Sequence, residues 1–549
     1  MIELSLVHAT KSYGAYPVLR DLSWDIQDHE VVALVGVNGA GKSTLLRCLA
    51  SIEDLDAGER VVRRGASIAY VPQEPDIAPE ETPRRALAGA HARLAAVEGE
   101  LAAIEAQMGR PEVYEDDARL AAVMERQSEA LGRYEALGGA TYASRCESTL
   151  IEFGLSAEDL DRPVSELSGG QRKLVCLARA VVQLPDVLLL DEPDNHLDLA
   201  GKARLERLIA DFAGAVILIS HDRYLIDVVA DVIAELELDG YHPGQPQLAL
   251  YPGNYSEYAF EKRLGLERQQ QDFVLQQREI GRLRSAIQRL KDWSRNGANE
   301  KFVRRWKSMQ GRLDRMDRVE RPVMESPRMR LALQSERGSN RAIDVKGLRK
   351  SFGDMEVLRG ADLLVLHGER VGVVGANGAG KSVLFRCLLG DDAPTEGVVR
   401  IGPSNTVASY SQEHETLDLS RSAIDEVRAV ARIAEGEAVA LLSRFALDYD
   451  TCRRPIGQLS GGQKSRVQLA RLMLMKANVL LLDEPTNNLD VASAEVLEDA
   501  LLDFDGTIVA ISHDRYFLDR VAQRIVEVRD GVLLSFEGGY GDYVAAARG

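Results

Sequence analysis

The chain has 549 residues, 45% hydrophobic and 28% charged, with a net charge of −18; this exceeds one ordinary core and reads as a globular protein of at least two domains. Apolar runs such as VLLL and AVILI are strand-sized, so no segment is expected to span a membrane, which takes roughly 20 apolar residues. Five scattered cysteines without a CxxC pair argue against a disulfide framework or a zinc site and fit small buried side chains in a reducing cytoplasm.

MIELSLVHAT reads as a strand and lacks the basic-then-apolar build of a signal peptide. The segment VVALVGVNGAGKSTLLRCLA reads strand, glycine loop, helix, the context in which G-x-x-x-x-G-K-[ST] marks a phosphate site. Around Asn38, the glycines Gly36, Gly39 and Gly41 let backbone N–H groups close on phosphate, and the following helix offers its positive dipole end. Lys42 is assigned to the β and γ phosphates of ATP and Ser43 to Mg²⁺, with Thr44 next in the loop. From roughly Arg84 to Ser148 the chain is rich in Ala, Glu, Leu and Arg, broken by GRP at Gly109–Pro111. This predicts a helical insertion whose 8 Arg against 11 acidic residues suit self-packing or a protein partner better than RNA. In LSGGQ, the residues Ser168, Gly169, Gly170 and Gln171 form a permissive turn opening a helix, the shape an anion site uses. VLLLDEP predicts a buried strand that delivers Asp191 to the Mg²⁺ shell and Glu192 to orient and polarise the attacking water.

These motifs then return. GANGAGKS supplies Gly375, Asn377, Gly378, Gly380, Lys381 and Ser382, and Gln73 returns as Gln412, at an offset of 339. Ser460, Gly461, Gly462 and Gln463, the pair Asp483 and Glu484, and the SHDRY segment return at an offset of 292, so the first copy carries 47 extra residues after Gln73. Repeats at this scale mean duplication of a whole ATP-binding domain. The predicted fold is α/β, two tandem P-loop domains at 1–250 and 340–549 joined by a helical-hairpin linker at 251–335. Gln73 and Gln412 keep the P-loop spacing.

Charge within the linker is inverted: residues 282–321 hold 13 Lys and Arg against 5 Asp and Glu, a local +8 that leaves about −26 elsewhere. Two helices are predicted around SRNGAN, with Asn296–Gly297 as the turn and Trp293 and Trp306 on either side. Such a segment suits contact with a phosphate backbone, or a solvated coiled coil.

The combination resembles the ATP-binding cassette superfamily over almost the whole chain. That resemblance implies that each LSGGQ serves the opposite cassette: Ser168, Gly169, Gly170 and Gln171 the nucleotide at Lys381, and Ser460, Gly461, Gly462 and Gln463 the nucleotide at Lys42. His221 and His513 resemble the switch histidine that contacts the γ-phosphate, and Tyr13 and Phe352 look like the aromatics that stack on adenine. The same resemblance implies a place for Gln73 and Gln412 with the nucleotide and its Mg²⁺. Val383 after Ser382 keeps the metal-binding hydroxyl. The further match is to the ABC-F subgroup, with two cassettes in one chain, no transmembrane domain and a helical linker, whose entry Tyr251–Arg263 resembles. Members usually have Thr where DNHLD begins with Asp194; the second block, TNNLD, has Thr486. The Asp194 carboxylate is expected to add negative charge near a γ-phosphate and to make the two sites unequal.

The resemblance implies a cytoplasmic, monomeric ATPase that closes its cassettes on two Mg–ATP molecules and meets the ribosome, through rRNA and tRNA, with its linker. Its role would be to modulate translation, by relief of stalling or by protection from an antibiotic. Two other readings stay open. A DNA-repair ATPase would resemble relatives with a C-terminal coiled coil, which DYVAAARG does not provide. A transporter motor with a separate membrane subunit would leave the linker charge unexplained.

Overall fold

The computed structural model describes residues 1–14, 16–114, 116–237, 247–296, 300–316, 338–353, 355–411, 417–445, 447–487, 489 and 491–548. Two compact units result, one from Met1–Asn254 with Arg330–Gly549, the other from Tyr255–Met329.

In the first copy a six-stranded sheet has the order Ile68–Val71, Val187–Asp191, Ala215–Ile219, Val31–Val35, Val232–Leu236, Leu248–Pro252. Its ladders are parallel except the last, which is antiparallel. Val187–Asp191 and Ala215–Ile219 are buried along their whole length, which is why they read as unbroken apolar runs. A three-stranded antiparallel sheet, Tyr16–Gln27, Ile2–Tyr13 and Ala57–Val62, adds Leu4, Leu6, Trp24 and Ile26 to the core that Val32, Leu34 and Leu45 occupy. The second copy repeats the large sheet with Val407–Tyr410, Val479–Asp483, Thr507–Ile511, Arg370–Gly375, Arg524–Arg529 and Val532–Glu537. Its small sheet is Met355–Leu366, Arg341–Phe352 and Glu396–Ile401.

Register decides where chemistry can occur. Asp191 pairs with Ile219 while Ala33 pairs with Leu218, so the P-loop and the acidic pair leave the same carboxyl edge of the sheet, where open α/β sheets bind ligands. Gly36 has φ 147°, and a Cβ there would lie 2.4 Å from the Leu236 carbonyl oxygen. Only glycine lets the chain turn this close to the neighbouring strand.

The insertion consists of Pro83–Ala88, Ala92–Met108, Pro111–Tyr114, Asp117–Ala136 and Gly139–Glu152. Ala92–Met108 stops at the GRP break. Ile104, Val113, Val123 and Ala130 form a small core of their own, and Arg133 pairs with Glu100 at 2.9 Å. The second copy has three shorter helices there, Ala423–Val430, Glu435–Arg444 and Tyr449–Arg453.

The other unit is a helical hairpin. Tyr255–Asn296 and Glu300–Asp314 run antiparallel, with Arg312 paired to Glu279 at 3.0 Å and the Lys291 ammonium 4.9 Å from the Trp306 ring centre. Ile280, Ile287 and Leu290 are buried. The first helix ends at Asn296; Gly297 and the side chain of Trp293 lie outside the described residues. The strand Leu248–Pro252 completes the first large sheet, and the two compact units divide between Asn254 and Tyr255. Among the described residues no helix is long and apolar enough to cross a membrane.

Candidate nucleotide sites between the two copies

A cleft of about 1270 Å³ is lined by both P-loops, both LSGGQ turns, both glutamates and both histidines. The two copies meet across it. Asn377 in the second P-loop donates through Nδ2 to the His196 carbonyl at 2.9 Å and through its backbone N–H to the Asp198 carboxylate at 3.2 Å. A Cβ on Gly170 would lie 3.3 Å from Asn377 Nδ2, so the first LSGGQ turn abuts the second P-loop. Ser460, Gly461, Gly462 and Gln463 line the same cleft as Lys42.

Each P-loop curls around its lysine. Lys42 Nζ donates to the Gly36 and Val37 carbonyls at 2.7 and 3.2 Å, and Lys381 Nζ to those of Gly375 and Ala376 at 2.8 and 2.9 Å. Burial holds the Lys381 ammonium below the usual lysine range, with Glu484 opposing. Asn38, Gly39, Gly41, Thr44, Gly378, Gly380 and Val383 line the cleft, while Gly36 and Gly375 form the turn behind. Ser43 Oγ donates to Asp191 at 3.2 Å, and Ser382 hydrogen-bonds Asp483. Burial raises both aspartates above the ordinary carboxylate range.

The glutamates sit on left-handed backbone, φ 45° at Glu192 and 50° at Glu484, a conformation that costs an ordinary residue about 1 kcal/mol or more. Their amides are fixed by the Ile219 and Ile511 carbonyls, each at 2.9 Å. Glu192 accepts from Gln73 Nε2 at 2.6 Å and Asn195 Nδ2 at 2.5 Å, with His221 Nε2 at 3.6 Å. Burial pushes this carboxyl up, but the His221 and Asn195 partners hold it below its usual value. Glu484 accepts from the His513 N–H at 3.3 Å and faces His513 Nε2 at 3.6 Å. Burial, then Asp483, raise Glu484 to about 7; burial and the Lys381 and Lys202 ammoniums push His513 down to about 3. Gln412, the counterpart of Gln73, lies outside the described residues.

Ser168 and Ser460 cap the helices Gly169–Val181 and Gly461–Leu474 through capping boxes with Gln171 and Gln463. The Gln171 side chain is committed to this cap, accepting from the Ser168 N–H at 3.0 Å and donating to Asp159 at 3.2 Å. Unlike Gln463, it does not line the cleft. Tyr13 and Phe352 do, each nearly half exposed and so open to a flat ring. Asp194 departs from expectation. It lines the cleft near Glu192, but at 6% exposure it hydrogen-bonds Ser220, and burial raises its carboxyl above the ordinary carboxylate range with the Lys202 ammonium opposing, so the charge expected there is disfavoured.

An ABC transporter family model matches residues 19–195 and 358–487, and a second model of that description matches 242–331. The energy-dependent translational throttle protein EttA of Haemophilus influenzae is 35% identical over 532 residues, 96% of this chain and 92% of its own. ABC transporter F family member 5 of Arabidopsis thaliana is 31% identical over 547 residues, 98% of this chain and 77% of its own. The chain belongs to the ABC-F family. Its tandem cassettes are ATPase domains, and the ABC-F chain accordingly binds and hydrolyses ATP. In fold it is similar to the structure of an RNase-L Inhibitor, with TM-score 0.60 over 98% of this chain and 92% of that one at 20% identity. It is equally similar to aABCE1 in complex with the archaeal ribosomal stalk protein aP1, with TM-score 0.61 over 98% and 92%.

Several site residues of the ABC-F chain escaped sequence reasoning. Asn195 holds Glu192. Lys173, 1% exposed, donates to the Pro72 and Gln73 carbonyls at 2.8 and 2.9 Å and to that of Asp191 at 3.3 Å, pinning the Gln73 loop to the acidic strand. Arg223 pairs with Glu498 and Arg515 with Glu206, each from one cassette to the other. The repeated Arg in SHDRY was the available signal for the last two.

Proposed function

We propose that this ABC-F ATPase is a cytoplasmic translation factor of the throttle kind, a monomer whose cassettes close on two ATP molecules and whose linker hairpin contacts the ribosome. One observation carries the reading: a chain of net −18 concentrates +8 in residues 282–321, a stretch that takes in the described helix Glu300–Asp314 and the end of Tyr255–Asn296, while it is similar along 96% of its length to a protein named for throttling translation.

The residues divide the work. Lys42 and Lys381 exchange loop carbonyls for phosphate oxygens, and the turns at Ser168–Gly170 and Ser460–Gly462 offer helix N-termini to the γ-phosphate from the opposite cassette. Ser43 with Asp191 and Ser382 with Asp483 fit Mg²⁺: each pair is all oxygen, and one carboxylate suits an ion that keeps waters and phosphates as its other ligands. Bound there, Mg²⁺ supplies charge neutralisation on the β and γ oxygens. Glu192 and Glu484 orient and polarise the water, each steadied by a histidine, while Gln73 and Asn195 fix the Glu192 carboxylate. Tyr13 and Phe352 stack on adenine. ATP at both interfaces favours the closed state, and its loss removes that bias.

Sedimentation with ribosomes, with a nonhydrolysable ATP analogue and with or without nuclease, tests the reading. Cosedimentation that ribonuclease abolishes is expected; binding to DNA alone would support a repair ATPase, and recovery with membranes a transporter motor. Growth of an expressing strain on a panel of ribosome-targeting antibiotics separates drug protection from relief of stalling.

A further inference from the structure

One set of contacts that join the cassettes is reciprocal. Arg223–Glu498 and Arg515–Glu206 occupy matching positions at the 292 offset, and each arginine stacks on the opposite tyrosine, Tyr516 at 4.1 Å and Tyr224 at 4.7 Å. Lys202 breaks the pattern. It lies 7% exposed on the helix Leu199–Asp211. Its ammonium donates to Asp222 at 2.8 Å and, across the interface, to the backbone carbonyl of His513 at 2.9 Å. His513 in turn donates its N–H to Glu484 at 3.3 Å. At the same offset the second cassette has Ala494 in place of Lys202 and Thr486 in place of Asp194. An alanine methyl cannot return the contact to the His221 carbonyl.

We propose that Lys202 is a positioning residue through which the first cassette holds the His513 loop, and with it Glu484, making turnover at the Lys381 site depend on cassette closure more strongly than turnover at the Lys42 site. Asp222 is the carboxylate that pairs with this buried ammonium, with Asp194 and Asp514 acting on it without a direct bond, and an unpaired charge there would be strongly unfavourable. The inequality of the sites therefore arises across the interface and falls on the site opposite Asp194.

The test rests on the roles given above to Glu192 and Glu484, so Glu192→Gln and Glu484→Gln are first measured alone; if either leaves its site hydrolysing, that reading fails before Lys202 is touched. In the Glu192→Gln background, where the Lys381 site turns over, Lys202→Ala should lower kcat about tenfold, the lower range for losing a charge-assisted hydrogen bond, with KM for ATP changed less. The fall in the Glu484→Gln background should be several-fold smaller, and Lys202→Arg should recover much of the loss. The double variant Asp194→Thr with Lys202→Ala removes the buried cation together with one of the carboxyls near it and installs the residues found at the matching positions of the second cassette, Thr486 and Ala494; it should show the same one-sided fall, with an unchanged circular-dichroism melt as the check that it folds. Hydrogen exchange at residues 512–517, read on the full chain with a nonhydrolysable analogue, should be about tenfold faster in both variants whichever residue activates water. Equal losses at both sites, or unchanged exchange at 512–517, would overturn the proposal.

Discussion

Arg223 of the first cassette and Glu498 of the second form an ion pair in which both side chains are buried, at 2% and 0% exposure. Glu498 also accepts from Arg520 of its own cassette at 2.7 Å, and Arg223 keeps Glu495 at 3.7 Å, so removing the Glu498 carboxylate takes a partner from two arginines at once, at a cost of about 3 kcal/mol. Glu498→Ala should thus shift the cassettes toward separation and lower the urea concentration at which labels on the two cassettes part. An unchanged midpoint would mean that the pair adds nothing to closure. The conservative Glu498→Gln, which keeps the shape and an acceptor but not the charge, should lose less than Glu498→Ala.

Glu192→Gln combined with Glu484→Gln should leave ATP binding intact and slow hydrolysis by about 10² to 10⁴-fold, the range for losing general-base help. Single-turnover hydrolysis and equilibrium nucleotide binding on the same preparation give the check. Parental turnover in the double variant would remove these glutamates from the reaction.

Gly170→Ala is expected to act across the interface. Its Cβ would sit 2.7 Å from the His196 carbonyl oxygen and 3.3 Å from Asn377 Nδ2, where the backbone oxygen cannot yield and the Asn377 to His196 hydrogen bond must. Hydrolysis should fall while nucleotide binding by separated cassettes persists, a difference that stopped-flow binding set against steady-state turnover would expose.

Reversal of Arg304, Arg305 and Lys307 to Glu changes the linker charge by six units and turns +8 over residues 282–321 into about +2. All three side chains are exposed, so folding should survive. Ribosome cosedimentation should weaken and lose much of its salt dependence, with ATP turnover by the free protein nearly unchanged. Cosedimentation indifferent to the reversal across a salt series would reduce the basic face to a solvated one.

What the sequence disclosed followed the range of the physics. The P-loops, the acidic strands and the helical hairpin are written in contiguous residues, and their local chemistry was legible. The duplication doubled every signal and located the insertion by its change in offset. Contacts set by packing were not legible: Lys173 reaches the Gln73 loop from a helix a hundred residues away, and Arg223 meets Glu498 across the interface. Nor were the surroundings of Asp194 legible: it lines the cleft with Glu192, yet its burial and its hydrogen bond to Ser220 are set by a strand remote in sequence.

The left-handed backbone at Glu192 and Glu484 sets stability against turnover at two points in the chain. Glycine adopts that conformation without steric penalty, so selection for a sturdier fold alone would tend to erase both carboxylates, and each persists against that gradient. A library of this chain sorted by thermal resistance should enrich glycine at 192 and 484 and lose ATPase activity as it does so. Those two positions would record, as a conflict between two selections on one protein, where catalysis is held at the expense of rest.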